Sequence, residues 1–257
     1  MPDTLRLSIS KWAVDKKLID PIKNINTKSL FEQAFLEINT EAKEVVVKKG
    51  KHVISSDLIV PRGWVLILEP GSELDIINNA AIVSYSPVLA EGTPSNQVFI
   101  HSSDGTGQGL TVIGGYDNSL LKYVTFKNLN TLHKCGWYLT GAVTFYQSNV
   151  IIENCIFEHS LCEDALNLVQ SNFTFSNSSV QNTYSDGLDS DFSSGTILNS
   201  TFINNGNDCI DLSGSTINII ACSINNSGDK GVSGGENSLV KVGDSRISNA
   251  KIAVASK

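Results

Sequence analysis

The 257-residue chain predicts an all-β solenoid with coils of about 22 residues, and three observations lead there. First, Glu163-Asp164-Ala165-Leu166, Ser185-Asp186-Gly187-Leu188, Asn207-Asp208-Cys209-Ile210 and Asp229-Lys230-Gly231-Val232 recur every 22 residues. A fixed period near 20 residues with strand-like content is the signature of stacked repeats. Second, an apolar column runs Phe126, Phe157, Val180, Phe202, Ile224, Ile247, at intervals of 31, 23, 22, 22 and 23. Third, the residue two places after each member is Asn128, His159, Asn182, Asn204, Asn226 or Asn249.

Taken in order, residues 1–43 form an N-terminal segment and 44–257 the solenoid. Residues 27–39 are predicted as a short capping helix. Ser29 and Glu32 make a capping box, and Leu30, Phe31, Ala34, Phe35 and Ile38 form an apolar face at helical spacing. Its expected task is to cover the first coil.

From residue 44 the pattern turns to strand: Val45–Val47, His52–Ile54, Leu58–Val60 and Trp64–Leu68, then Leu74–Ile76, Ala81–Val83, Val98–Ile100 and Leu110–Val112. Pro61-Arg62-Gly63 and Pro70-Gly71 punctuate them as turns. Leu129–Tyr138 fits no repeat slot and is predicted as a loop inserted between coils, the kind of segment that carries specificity on a rigid scaffold.

Five of the six corner slots are Asn, which tolerates left-handed backbone and whose amide can bond to the Asn one coil away. An Asn ladder beside an apolar column predicts a right-handed parallel β-helix. On these residues the chain resembles the pectate-lyase-like β-helix superfamily over roughly residues 45–257. The resemblance implies a fold and leaves the activity open.

Side chains alternate along a strand. If Leu166, Leu188, Ile210 and Val232 point inward, Thr111, Thr144, Asn167, Asp189, Asp211 and Ser233 point out in one row. Tyr146, Val169, Asp191, Ser213 and Gly235 form a second row, and Asp164, Asp186, Asp208 and Lys230 stand at the turn before both. Neighbouring coils lie about 4.8 Å apart, so the stacked carboxylates repel. A divalent cation, expected to be calcium on Asp189, Asp191 and Asp211, would offset that. So would a proton held by one carboxyl, or backbone N–H groups donated to the turn aspartates. Trp137, Tyr138, Tyr146, Tyr184 and Phe192 flank this face as sugar-stacking or surface-packing residues, and Asn167 stands among the carboxylates.

The turn segments also resemble the motifs of polygalacturonase-type glycoside hydrolases. Asp186 in Ser185-Asp186-Gly187 and Asp208 in Asn207-Asp208-Cys209 match the aspartates of the family's NTD and DD motifs. Asn207 replaces one aspartate of the DD pair, Lys230 stands where that family has histidine, and Arg246-Ile247-Ser248 keeps only the arginine of RIK. The resemblance implies Asp208 as acid, with Asp186 or Asp189 positioning water. Lys230 also matches the basic residue of β-helix polysaccharide lyases. Its neighbours Asp208, Asp229 and Glu236 stabilise the protonated amine, so a salt-bridge cap on the column is the competing role.

A net charge of −7 argues against a nucleic-acid partner. No apolar run approaches a membrane span, and Leu5–Trp12 is too short and polar for a secretory signal. The five cysteines show no zinc spacing and are expected as buried fillers. The resulting expectation is a carbohydrate-active β-helix acting on or binding a polysaccharide at its Asp-rich face. It would sit outside the cell or on its surface, in a longer exported chain with flanking domains. Catalytic candidates are Asp186, Asp208, Asp189 and Lys230, and glycan contacts are Tyr146, Tyr184, Asn167 and Trp137. Hydrolase, lyase and epimerase chemistry all stay open. The alternative is a non-catalytic glycan- or calcium-binding module of a larger surface protein.

Overall fold

The computed structural model describes residue 30 and residues 33–115, 117–134 and 136–256. From Gln33 onward their regular structure is all strand. Three long sheets wrap one core: a ten-stranded sheet and two nine-stranded sheets, each drawing one strand from every coil. Apart from one edge strand, all pairing within them is parallel, and the crossovers wind right-handed.

The expected register is present. Leu166 pairs Leu188, which pairs Ile210, which pairs Val232, all fully buried. The third sheet carries the apolar column from Phe126 through Phe157, Val180, Phe202 and Ile224 to Ile247. Phe126 and Phe157 stack with ring centroids 4.9 Å apart, and Phe175 continues the stack to Phe202.

Every corner slot of the Asn column has positive φ, between 53° and 58°, His159 included. Asn204 donates to Asn182 at 3.0 Å, and Asn226 to Asn204 at 2.8 Å, so amides join coil to coil. Two inner columns do the same with hydroxyls. The N–H groups of Ser148, Ser171, Ser193 and Ser215 donate to the hydroxyls of Ser171, Ser193, Ser215 and Ser238. A parallel column links Cys155 to Ser178 and Ser178 to Ser200. Cys155 thus fills a serine slot, and burial pushes its thiol up to about 12. Cys162, Cys209 and Cys222 are buried free thiols too, while Cys135 lies outside the described residues.

The capping helix is corrected where the chain is described. Leu36–Asn39 is a strand, paired antiparallel to Glu44–Val47 with Leu36 opposite Val47. The first coil offers an open sheet edge, and pairing satisfies its backbone groups where a helix would not. Leu36 and Ile38, two apart, still pack against the core, as does Phe35, whose ring stacks on His52. The proposed capping box lies outside the described residues.

Leu129–Tyr138 does leave the repeat, and it contains a small hairpin, His133–Lys134 against Trp137–Tyr138. Lys134 anchors it to Asp57 at 2.6 Å. Leu132, Trp137 and Leu139 cover Ala81, Val83, Tyr85 and Ile113 on the outer face of the second sheet.

Candidate active site

The second sheet carries the acidic face. Its outward row pairs Thr111 with Thr144, then Asn167, Asp189, Asp211 and Ser233. The parallel row pairs Tyr146 with Val169, Asp191 and Ser213. Not all of this face is open. Thr111 and Thr144 point outward yet are fully buried, and so is Ser233. Trp137 packs edge-on against Tyr146 at 5.3 Å, so these two wall one end of the acidic strip as part of the inserted cover.

The turn column is bound into the fold. Asp186 accepts the backbone N–H of Asp208 at 2.7 Å, and Asp208 accepts that of Lys230 at 2.8 Å. The Lys230 ammonium pairs with Asp208 at 3.2 Å and also with Asp229. These carboxylates, above all Asp229, raise the Lys230 pKa, which keeps the amine protonated. Asp208 is 1% exposed. Its carboxylate accepts from a backbone amide and an ammonium, an arrangement that fixes a turn. Of the three ways to offset stacked carboxylates, backbone donation therefore serves Asp186 and Asp208, each through the next coil.

Asp164, one coil earlier, is different. The single amide nitrogen of Asn167 donates to Asp189 at 2.7 Å and to Asp164 at 3.3 Å, so two carboxyls converge on one NH₂ group. Asp164 and Asn167 are each 2% exposed, while Asp189 is partly open on the face. Burial first, then neighbouring carboxylates, push Asp189 up to about 9 and Asp164 up to about 7. Thr140 donates to Asp164 as well and opposes the shift, but burial beside a second carboxyl outweighs it and favours a shared proton. Burial also lifts Asp186 to about 6 against the opposing N–H of Asp208, and raises Asp191.

Two exposed aromatics border the strip. Tyr184, 76% exposed, precedes Asp186 at the turn; Phe192, 68% exposed, follows Asp191 at the other end of the strand. The Phe192 ring lies over Gly214 of the next coil, where a Cβ would come within 2.6 Å of the ring. Asp189, Asp191 and Asp211 lie along one face as the register requires. Among the described residues, no group of three or more His, Cys, Asp or Glu is placed to hold a metal ion.

The Asp164–Asn167–Asp189 bridge is the feature that residue spacing did not single out. The available signal was Asn167, the one amide in a row continued by Asp189 and Asp211.

No family model matches the chain, and neither does any curated protein. Among solved structures, a double mutant of the periplasmic alginate epimerase AlgG aligns over 93% of this chain and 68% of its own. Identity there is 10% and the TM-score 0.46. A single mutant of that epimerase aligns over 93% and 71%, at 10% identity and a TM-score of 0.41. PfbA, a surface adhesin of Streptococcus pneumoniae, aligns over 84% and 86%, at 10% identity and a TM-score of 0.28. All three scores fall below 0.5, so the chemistry of this chain rests on its own side chains.

Proposed function

We propose that this chain is a carbohydrate-active β-helix whose acidic face cleaves a polysaccharide by general-acid catalysis. The observation that carries this is the Asp164–Asn167–Asp189 bridge, two carboxyls sharing one amide donor beside the open part of the sheet face. A carboxyl that keeps its proton near neutral pH is suited to protonating a glycosidic oxygen. Asp189, the more open member, donates that proton. Asp211, its neighbour one coil away in the same row, stands at about the 5 Å separation of a retaining pair, so its carboxylate attacks the anomeric carbon as the glycosidic oxygen leaves with the proton, and water then hydrolyses the glycosyl ester, returning a proton to Asp189. The products are two shorter chains, one with a new reducing end. Tyr184 and Phe192 offer flat apolar surfaces to the sugar rings on either side.

In this reading the acid role passes from Asp208 to Asp189, because Asp208 is occupied by Lys230. Asp186 and Lys230 hold the turn, and Trp137 and Tyr146 shape the end of the strip. An extracellular or surface setting belongs to the same proposal, since polysaccharide of this kind lies outside cells. Among the described residues no helix is long and apolar enough to cross a membrane.

The test is a reducing-end assay over neutral and uronic polysaccharides, with products sized by mass spectrometry. Cleavage of at least one polymer is expected, reduced about 100-fold or more in Asp189→Asn with the melting curve retained. Absence of product from every polymer, or full activity in Asp189→Asn, overturns the proposal. A second, non-catalytic reading draws on the turn column, whose aspartates are consumed structurally. It predicts glycan retention without cleavage.

A further inference from the structure

On the ten-stranded sheet, away from the acidic face, the outer surface forms a groove of about 440 Å³. It crosses the strands Val150–Glu153, Asn172–Ser176, Ser194–Leu198 and Thr216–Ile220. Two outward columns line it. Asn172, Ser194 and Thr216 stand in register in one; Thr174, Thr196 and Asn218 in the other.

Among the described residues the lining contains no Asp, Glu, Lys or Arg. That is unusual on a chain with 45 such residues, and it sets the groove apart from the acidic face. Among the described residues the six column side chains make no hydrogen bond to the protein, whereas the hydroxyls of Ser171, Ser193 and Ser215 each donate to a carbonyl of the preceding coil. The groove therefore presents an unspent array of amides and hydroxyls, repeated at the coil spacing of about 4.8 Å.

Apolar contact is built in as well. Ile151, 41% exposed, stands in register with Thr174. At Gly195 the inward side chain is missing and the Phe173 ring fills its place. A Cβ there would come within 2.7 Å of the ring. Both Gly195 and Phe173 reach the groove surface.

We infer that this groove binds an uncharged polysaccharide strand lying along the solenoid axis. Sugar hydroxyls both donate and accept, which matches amide and hydroxyl partners of both kinds, and the apolar faces of the rings meet Ile151 and the Phe173 floor. An anionic polymer gains no ion pair here and meets a chain of net charge −7. The site is separate from the acidic face and needs no catalysis. It would hold a polymer whether or not the other face cuts it.

Affinity electrophoresis in native gels suits a chain with this net charge. Gels cast with xyloglucan, galactomannan or mixed-linkage β-glucan are compared with gels holding alginate or polygalacturonate, and with empty gel. At least one neutral polymer is expected to retard the protein. Asn172→Ala/Asn218→Ala should weaken that retardation about tenfold, as loss of two hydrogen bonds would, and Thr196→Lys should abolish it by bulk and charge. These side chains point outward, and unchanged melting curves establish that the variants fold. The reducing-end assay on the same polymers reports the acidic face independently, which separates failure of the groove from failure of that face. Retardation by uronic polymers alone, equal retardation of the double variant, or none in any neutral gel overturns the inference. The last result would leave a protein partner as the occupant to seek.

Discussion

Two sets of stacked aspartates sit one turn apart on the same sheet, and the fold treats them in opposite ways. In the turn column, Asp186 and Asp208 each accept a backbone N–H from the following coil, and Lys230 closes the series with an ion pair. Where that column meets the face row, its first member Asp164 shares one Asn167 amide with Asp189, and neither has a cation in contact among the described residues. Backbone amides and an ammonium stabilise the charged carboxylate. Burial beside another carboxyl stabilises the protonated one. Similar residues at the same period thus become a structural clamp at the Lys230 end and a proton-holding pair where Asp164 meets Asp189.

The largest effect should come from breaking the clamp. Asp208→Ala leaves the Lys230 N–H without its acceptor and its ammonium with Asp229 alone. Removing one partner of a buried pair costs about 3–5 kcal/mol, read as a lower urea midpoint at unchanged slope. A loss under about 1 kcal/mol would mean that Asp229 suffices and that the clamp is ornamental.

Next in size is Asn167→Asp, which replaces the shared donor with a third carboxyl. At pH 8 it should destabilise by roughly 2–4 kcal/mol, and at pH 5, where the added carboxyls can hold protons, by much less. Equal loss at both pH values would show that the bridge is packing and not electrostatics.

The pH dependence of the parent protein should be smaller. Asp164, Asp186 and Asp189 have folded pKa values of about 7, 6 and 9, all raised above the ordinary carboxylate value. The folded state therefore binds more protons than the unfolded one through that window, and stability falls as pH rises. The contribution is complete below about pH 4 and lost as pH climbs past each folded pKa. Melting temperature should drop by several degrees between pH 5 and pH 9, since about 1 kcal/mol moves it by 2–4 °C in a chain of this size. Asp189→Asn should flatten that slope and raise stability at pH 9. A slope unchanged by this variant would place the proton elsewhere.

Smallest of all should be the response to calcium. Among the described residues no group of three or more His, Cys, Asp or Glu is placed to hold a metal ion, so millimolar calcium is expected to move the melting temperature by less than about 2 °C. A larger rise, absent in Asp211→Asn, would restore the cation as the partner of this face.

Much of the solenoid could be read from residues alone. Leu166, Leu188, Ile210 and Val232 repeat because each coil must refill the same slot of a close-packed core. Asn182, Asn204 and Asn226 repeat because few other side chains tolerate left-handed backbone while bonding to their own kind. The serine column, Ser171 to Ser193 to Ser215, has the same spacing and was equally readable. It stays inconspicuous in a serine-rich chain until the hydroxyls are seen pointing inward. The strand at Leu36–Asn39 was not readable, because Phe35, Leu36 and Ile38 fit a helical face as well as an extended one. The open edge of the first coil decided between them.

The aspartate rows were visible as rows, and their division was not. Spacing says that Asp208 and Asp189 each recur beside another carboxyl. It does not say that Asp208 faces a backbone N–H and an ammonium while Asp189 faces an amide already shared with Asp164. Period and alternation, which are local properties of the chain, determined the coil, its core and the two charged columns. Protonation depends on which groups arrive from other coils and on how much water they displace. That set of neighbours exists only once the turns are stacked, and so the tertiary structure alone decided which aspartates clamp the fold and which can give up a proton.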